Sequence, residues 1–326
     1  MPESVLFLRL PKDRRGNIRG RQEKRIGTRL EHVQLTSVTD GDTLRVAVGG
    51  QERSLRVACA DTEESRPGGL KPATRLGLET AAMARRHFTL PDGGLATVTV
   101  EFDTDDPQDV CLVKHLDNHG RLLGYVHHGG ENYLLKLVRE GWSPYFTKYG
   151  RSRLLHGELL KAEASAQADG LRVWDLGRSD RRPYERLVPW WSLRDAALQE
   201  YRGFAETRRN VLSLRLEYEA VREKARRGER VTVLADVQGP ARPTASGGVF
   251  FEVGSHQRPF SLWLPDADGG EALRILRLLA TRYLADGVHY GRGYVYVSGA
   301  LSTYRDAPQL ELKTLGQLSD TPPGAQ

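Results

Sequence analysis

Cysteine is scarce in this sequence, and its scarcity excludes several classes of protein. Only Cys59 and Cys111 occur, so no disulfide framework is indicated, although one bridge stays open. No spacing of cysteine and histidine is typical of a zinc site. Apolar runs of membrane-spanning length are also absent, and the short run at residues 5–10 lacks the order of a secretory signal. We therefore expect a cytoplasmic protein with no membrane partner.

The balance of charge favours a polyanionic partner. The 326 residues carry a formal net charge of +6. Residues 1–30 hold nine basic residues against three acidic ones, an excess equal to that of the whole chain. This basic N-terminal arm is predicted to neutralise phosphates, and a solvated extension is the compatible alternative. Docking on an anionic membrane is disfavoured because the arm has no amphipathic apolar face.

The pattern from residue 31 onward predicts a small barrel. Valine-rich and leucine-rich segments alternate in part, and Gly49-Gly50 between two of them indicates a hairpin. Strands with helices between and after them favour a closed barrel over a doubly wound sheet. The predicted strands are residues 32–38, 43–48, 52–60, 94–102 and 121–127, and the predicted helices are residues 74–87, 133–140 and 153–168.

The second half of the chain predicts a long connector helix and a second barrel. Over residues 192–227, five apolar residues at spacings of three and four share one helical face: Val211, Leu214, Tyr218, Val221 and Ala225. We favour a connector helix over a coiled-coil seam, and the oligomeric state stays open. Strands at residues 231–238, 248–254 and 258–264, a helix at 271–284, and strands at 294–300 and 310–314 follow the order of a Greek-key oligonucleotide-binding (OB) barrel.

The predicted fold class is mainly β with helices (α+β). It comprises a five-stranded OB-type barrel, the connector helix and a second OB-type barrel. The predicted domains are the arm at 1–30, a first barrel domain at 31–176, the connector at 177–229 and the second barrel at 230–320.

The stretch at residues 38–64 carries the chemistry. Asp42 lies at a tight Asp-Gly-Asp turn that enters a strand, and Asp61 follows the strand that carries Arg56. With Glu64 they supply oxygen ligands of the kind that Ca²⁺ and Mg²⁺ prefer, and arginine suits a phosphate. By composition alone such a group is usually solvated surface, so its order and spacing have to carry the argument.

Several motifs in register resemble the staphylococcal-nuclease (thermonuclease) family. They are Val-Thr-Asp40-Gly41-Asp42-Thr43, Leu55-Arg56, Asp61-Thr62-Glu63-Glu64 and His119-Gly120-Arg121, within a resemblance that spans residues 33–175. The resemblance implies a five-stranded OB barrel with three helices. It also implies cleavage of DNA and RNA phosphodiesters with Ca²⁺ as cofactor, leaving 3′-phosphate ends.

Carried over by position, the resemblance assigns roles to six residues. Asp42 and Asp61 are implied as Ca²⁺ ligands with the Thr62 carbonyl, and Glu64 as the general base. Arg56 and Arg121 are implied to hold the phosphate and stabilise charge in the transition state.

Three positions bear on how far this chain follows the family pattern. Glu63 stands where the family usually has proline, and for this extra carboxylate we favour a position facing solvent over metal binding. His119 replaces a tyrosine, whereas the aromatic match at Tyr149 is kept, so base stacking is expected to be weaker or differently selective.

The second barrel supplies candidate residues for stacking on single-stranded bases. Residues 295–312 resemble the last hairpin of nucleic-acid-binding OB domains. The stacking candidates are Phe250, Tyr296 and Tyr304, with Phe251 and Tyr294 as alternatives to the first two. For any one of them a core position is equally open, because half of the side chains on a strand point inward.

The sequence thus predicts a Ca²⁺-dependent endonuclease or exonuclease acting on DNA or RNA. Its second barrel is expected to assist in binding single-stranded nucleic acid. The alternative is a non-catalytic nucleic-acid-binding or scaffold protein built on two barrels.

Overall fold

The computed structural model describes residues 26–68, 71–208, 210–255, 258–286 and 289–322. The basic arm predicted for residues 1–30 lies almost wholly outside the described residues. Within the described ranges the chain forms two β-sheets and seven α-helices, which confirms the predicted α+β class. None of the helices in these ranges combines the length and the apolar character needed to cross a membrane.

Five strands close the first barrel, and a short sixth strand extends it. They are β1 (Arg29–Val38), β2 (Thr43–Val48), β3 (Gln51–Val57), β4 (Thr97–Glu101), β5 (Leu122–His128) and β6 (Glu131–Asn132). β1 pairs with β2 and β4, β2 with β3, and β4 with β5, all antiparallel. A parallel pairing of β3 with β5 completes the ring, so the predicted five-stranded OB-type barrel is confirmed.

Alternation of side chains builds this barrel. Every second residue of β1, β2 and β3 points into the core, and these inward residues are Val33, Leu35, Leu44, Val46, Leu55 and Val57. Gly49 and Gly50 have φ angles of 59° and 75°, which suit the two central positions of a tight hairpin turn. The predicted hairpin between β2 and β3 is therefore present.

Four helices complete the first unit. They are α1 (Arg75–Phe88), α2 (Gln108–Lys114), α3 (Tyr133–Arg139) and α4 (His156–Ala168). α1 begins where the Thr74 hydroxyl accepts the N–H of Gly77 at 2.9 Å. α2 was not predicted, because its seven residues are too few to show a helical period.

The prediction of one long helix over residues 192–227 is wrong. The structure has α5 (Tyr184–Ala205), then strand β7 (Val211–Ser213), then α6 (Tyr218–Arg226). β7 pairs parallel with the next strand, and all three of its residues are buried. Apolar residues of a short strand followed by a helix thus fell at helical spacings by coincidence, and in the described part of this range they do not share one helical face.

α5 packs against both units. Its first half places Tyr184, Leu187, Trp190 and Trp191 in the core of the first barrel. Its second half packs Ala197, Leu198 and Tyr201 against residues of the second sheet. Between the halves, Arg194 is fully buried, and its Nη2 lies 2.9 Å from both carboxylate oxygens of Asp236. Its Nε donates to the carbonyl of Lys148 in the first unit at 3.2 Å.

The second sheet repeats the pairing pattern of the first barrel. Besides β7 it contains β8 (Arg230–Asp236), β9 (Ala241–Pro243), β10 (Val249–Glu252), β11 (Ser261–Leu264), β12 (Tyr294–Tyr304), β13 (Ala307–Glu311) and β14 (Leu318–Ser319). β9 pairs with β10, β10 with β11, β12 with β13 and β8 with β12, all antiparallel, and β11 pairs parallel with β13. β8 and β9 together take the place of β1. Helix α7 (Gly270–Leu278) lies between β11 and β12, as α1 lies between β3 and β4.

Glu163 on α4 makes stability depend on pH. Burial raises the pKa of its carboxyl to about 7, although the Tyr145 N–H donates to it at 2.8 Å. Between the ordinary glutamate pKa and pH 7, the folded state therefore holds a proton that the unfolded state has lost. Stability contributed by this group is full below that range and falls as pH rises through it.

We expect Glu163→Gln to stabilise the protein at pH 8.5 by about 2 kcal/mol and to change stability little at pH 5. Glutamine keeps the acceptor for the Tyr145 N–H without a charge. The measurement is the free energy of unfolding from denaturant titration at both pH values, with Glu158→Gln on the exposed face of α4 as control. Equal stability of Glu163→Gln and wild type at both pH values would contradict the assignment.

Candidate active site

Strand pairing brings three distant segments to one end of the first barrel. Arg56 on β3 lies opposite Thr43 on β2 and beside Leu123 on β5. Asp42 immediately precedes β2, and Arg121 immediately precedes β5. The closed ring therefore places their side chains around Arg56, although the sequence separates them widely.

The turn that carries Asp42 is fixed by hydrogen bonds. The buried Tyr133 hydroxyl donates to the Gly41 carbonyl at 2.8 Å. Asp42 itself is buried, and its Oδ2 accepts the backbone N–H of Thr62 at 2.9 Å. Its Oδ1 accepts the Thr43 hydroxyl at 3.0 Å. The carboxylate is thus held in one orientation.

One guanidinium joins the two buried aspartates. Arg56 Nη1 lies 3.1 Å from Asp42 Oδ1, and Nη2 lies 3.0 Å from Asp61 Oδ1. Nη2 also donates to the Ala60 carbonyl at 3.1 Å. The predicted grouping of Asp42 and Asp61 around Arg56 is therefore present in the structure.

Glu64 lies on a loop that α1 supports directly. The backbone N–H of Thr74 donates to the Glu64 carbonyl at 3.0 Å. A Cβ added at Gly77 would lie 2.0 Å from that same carbonyl oxygen, so only glycine allows the helix to approach this closely. The Glu64 side chain is 28% exposed. Burial raises its pKa, and the ammonium of Lys71 opposes that effect.

Arg121 is oriented by Asp117. Its Nε and Nη2 lie 2.7 and 2.6 Å from Asp117 Oδ2. Its Nη1 donates to the Thr43 hydroxyl at 3.3 Å, next to Asp42. Arg121 thus joins the cluster through one hydrogen bond, which it donates to a residue 78 positions earlier in the chain.

Two further cations lie at the carboxylates. Lys71 Nζ bridges Asp61 Oδ1 at 3.0 Å and Glu64 Oε1 at 3.1 Å. Arg182 Nη1 lies 2.7 Å from Asp61 Oδ2, and its Nη2 donates to the Thr62 carbonyl at 3.0 Å. Burial alone would raise the pKa of Asp61, but the charges of these two residues and of Arg56 hold it well below its usual range.

Sequence reasoning missed both Lys71 and Arg182. Lys71 lies in a Gly/Pro-rich loop, and Arg182 lies 121 positions after Asp61 in an irregular segment. Lys71 lies in an irregular loop with no period, and the contact of Arg182 forms only when the chain folds back after the first barrel.

The expectation that Glu63 faces solvent is wrong. Glu63 is only 3% exposed. Its Oε1 accepts the backbone N–H and Nε of Arg182 at 2.8 and 3.2 Å, and the Tyr184 hydroxyl at 2.7 Å. The segment leading into α5 covers Glu63, so this carboxylate anchors the returning chain.

The oxygens of this cluster are ligands that suit a hard metal ion. In this conformation, however, they accept hydrogen bonds and ion pairs from protein donors. Both oxygens of Asp42 and of Asp61 accept hydrogen bonds or ion pairs from the protein. Across the described ranges, no three or more His, Cys, Asp or Glu side chains are grouped so as to hold a metal ion. The carboxylates of Asp42 and Asp61 and the Thr62 carbonyl remain an oxygen-only donor set, which is what Ca²⁺ requires.

The predicted nucleic-acid-binding residues of the first unit lie on two loops. His119 is exposed in the turn before Arg121. Tyr149 is half-buried, and the guanidinium of Arg215 lies 3.9 Å from the centre of its ring. Arg215 comes from the segment after β7, so the connector region already contacts the predicted stacking residue.

In the second sheet, the three predicted residues separate. Tyr304 is 57% exposed at the end of β12, and Phe250 is half-buried on β10. The assignment of Tyr296 to base stacking is wrong, because this residue is 1% exposed and packs in the cluster under α5. Its alternative Tyr294 is buried in the same cluster.

Trp263 was missed beside Phe250. The two residues lie directly opposite each other on β11 and β10, and both are half-buried. Their neighbours Leu262 and Leu264 point into the core, so the alternation of β11 was the signal that could have found Trp263. A Cβ at Gly248 would lie 2.1 Å from the indole, which therefore packs closely against that glycine.

Comparison with known proteins adds an independent finding. The family described as staphylococcal nuclease homologue matches residues 92–176, which include Arg121 and Tyr149. The chain is 26% identical to the endonuclease YncB of Bacillus subtilis (strain 168) over 169 residues, covering 50% of this chain and 74% of that protein. It is 27% identical to the thermonuclease of Staphylococcus intermedius over 152 residues, covering 45% of this chain and 78% of that protein.

A third relative decides the family. The thermonuclease of Staphylococcus hyicus is 30% identical over 142 residues, covering 42% of this chain and 72% of that protein. The family match at residues 92–176 covers β4, β5 and β6 of the first barrel. On this identity and coverage, the chain belongs to the staphylococcal nuclease family.

Proposed function

We propose that this chain is a calcium-dependent nuclease that hydrolyses phosphodiester bonds of DNA or RNA. One observation carries the proposal: two buried aspartates, a half-exposed glutamate and two arginines meet at one end of the first barrel. The family and the nuclease-named relatives support the same reaction class.

Asp42, Asp61 and the Thr62 carbonyl would hold the calcium ion in this proposal. Their donor set consists of oxygens alone, which fits Ca²⁺. When bound, the ion supplies relief of negative charge on the phosphate. Arg182 and Lys71 would have to leave Asp61 when the ion binds, because they occupy its oxygens.

Glu64 would act as the general base. Its carboxylate is partly open to solvent at the edge of the cluster, where it can orient a water and accept its proton. That water attacks phosphorus while the bond to the leaving oxygen breaks. The raised pKa of Glu64 makes it a better proton acceptor than an ordinary glutamate.

Arg56 and Arg121 would bind the phosphate. Each is pre-oriented by carboxylates, Arg56 by the two aspartates and Arg121 by Asp117. Arginine presents paired N–H donors that match two phosphoryl oxygens. Because the donors are fixed before the substrate arrives, little reorganisation is needed as charge develops.

The first test combines a chelator with Glu64→Gln. We expect the wild type to degrade single-stranded DNA with calcium and to leave it intact with chelator. Glu64→Gln should lower the rate by at least about 100-fold, since general-base catalysis typically contributes that much. The matched control is Glu158→Gln, because Glu158 lies on the exposed face of α4. DNA that stays intact with wild type and calcium favours the non-catalytic binding or scaffold alternative.

A second prediction concerns Arg121. Removing a preformed donor to developing charge costs about 3 kcal/mol, so we expect Arg121→Ala to lower kcat by roughly 100-fold. Arg121→Lys should recover little, because a lysine lacks the paired donors. Steady-state kinetics on a labelled oligonucleotide measure both variants, with Arg75→Ala at the surface as control. A rate within a few fold of wild type would remove Arg121 from the mechanism.

We also propose that the second sheet assists by binding single-stranded nucleic acid. In this proposal residues 31–176 form the nuclease unit, residues 177–229 form the connector, and residues 230–320 form an OB-type unit. Phe250 and Trp263 form an adjacent aromatic pair on the outer side of β10 and β11, and Arg242 lies opposite Phe250 on β9. Aromatic side chains beside a cation are typical of surfaces on which bases stack. Tyr304 lies exposed on the β12–β13 turn.

The test of that surface is Trp263→Ala. Base stacking on one aromatic side chain is worth about 1–3 kcal/mol, so we expect roughly tenfold weaker binding. Fluorescence anisotropy with a labelled oligothymidylate, in chelator and in the Glu64→Gln background, measures binding without cleavage. Leu273→Ala, an exposed apolar residue on α7, is the control. Unchanged affinity in a folded Trp263→Ala protein would exclude this surface.

A further inference from the structure

We propose that Arg182 is a tethered cation that competes with the metal ion for the active-site oxygens and thereby sets the calcium affinity of the nuclease site. The inference rests on the calcium-dependent activity proposed above. It concerns a residue outside the first barrel to which that proposal gives no role in the reaction.

The contacts of Arg182 coincide with the oxygens assigned to calcium. Its Nη1 lies 2.7 Å from Asp61 Oδ2, and its Nη2 donates to the carbonyls of Thr62 and Asp61 at 3.0 and 3.2 Å. A guanidinium bound to these three oxygens competes with a divalent cation for their lone pairs, and the two charges repel. Calcium therefore binds more tightly when the guanidinium moves away.

Arg182 is held at this place by groups that calcium does not need. Its backbone N–H and Nε bind the buried Glu63, and its Nη2 donates to the Tyr184 hydroxyl at 2.6 Å. The Tyr184 hydroxyl in turn donates to Glu63. The guanidinium is therefore held beside the carboxylates by hydrogen bonds of its own, unlike a surface side chain without such partners.

The charge of the cluster points the same way. Asp42, Asp61 and Glu64 bring three carboxylates, and Glu63, which binds Arg182, brings a fourth; Arg56, Lys71 and Arg182 bring three cations in direct contact with them. Carboxylates that are paired with cations attract a divalent ion less than free carboxylates do. Of these cations, Arg182 alone comes from the segment leading into α5.

This origin connects metal binding to the rest of the chain. Arg182 lies two residues before α5, which packs against both the first barrel and the second sheet. Release of the guanidinium from Asp61 leaves its backbone contact with Glu63 available. The exchange of arginine for calcium therefore needs only a side-chain movement.

The experiment is a calorimetric titration of calcium into the full chain and into Arg182→Gln. We expect the variant to bind calcium about tenfold more tightly, because one competing charge has been removed. Arg181→Gln is the matched control, since Arg181 pairs with Glu185 and donates to the backbone carbonyls of Asp175 and Arg182, away from the carboxylate cluster. Its calcium affinity should equal that of wild type.

A second variant protects the test against misfolding. Tyr184→Phe leaves the charge of the site unchanged but removes the hydroxyl to which Arg182 Nη2 donates, so calcium affinity should rise by a smaller factor, about threefold. Thermal unfolding in chelator establishes that each variant folds. A purely structural role for Arg182 would lower stability without raising calcium affinity.

The outcomes are distinguishable. Tighter calcium binding by Arg182→Gln and by Tyr184→Phe supports the inference. If wild type and Arg182→Gln bind calcium equally well, or if the variant binds it more weakly, the inference is overturned while the proposed function stands. If neither the wild type nor any variant binds calcium, the calcium dependence proposed above fails and the inference fails with it.

Discussion

The guanidinium of Arg56 lies between two buried carboxylates, and the geometry of the candidate site depends on it. Two like charges this close and this buried would repel strongly without a cation between them. Arg56 can take that place only because β3 pairs with β2 on one side and with β5 on the other. The parallel pairing of β3 with β5 also brings Arg121 into reach of Thr43. The strand pairings that close the barrel are therefore the same ones that assemble the site.

Much of this arrangement was predictable because it is local or follows a regular period. The alternation of Leu44, Val46, Leu55 and Val57 indicated β2 and β3, and Gly49-Gly50 indicated their turn. Asp42, Arg56 and Asp61 lie at strand ends that such a hairpin must bring together. By contrast, the helix predicted over residues 192–227 failed because the apolar residues of β7 and α6 fell by coincidence at helical spacings. The assignment of Tyr296 to base stacking was wrong for a different reason, because the face of β12 that is buried depends on where α5 packs.

The contacts that no pattern could predict are those made after the first barrel ends. Glu63 reads as a surface acid, and its burial follows only from the return of Arg182 and Tyr184. Burying a carboxylate costs free energy unless donors satisfy it, and three donors do so here. Arg194 repeats the principle farther along α5, where its buried charge is balanced by Asp236. Both pairs join segments that are remote in sequence, so sequence spacing carries no trace of them.

These buried pairs give the connector a role beyond length. Through Arg182 it contacts the carboxylates of the nuclease unit, and through Arg194 it contacts β8 of the second sheet. Arg215, just after β7, lies against Tyr149, which the family resemblance assigns to the substrate pocket. Cations from the connector therefore reach both the proposed metal ligands and the predicted base-stacking residue. Because each contact satisfies a buried or half-buried group, moving α5 would disturb the carboxylate cluster, the surroundings of Tyr149 and the second sheet together.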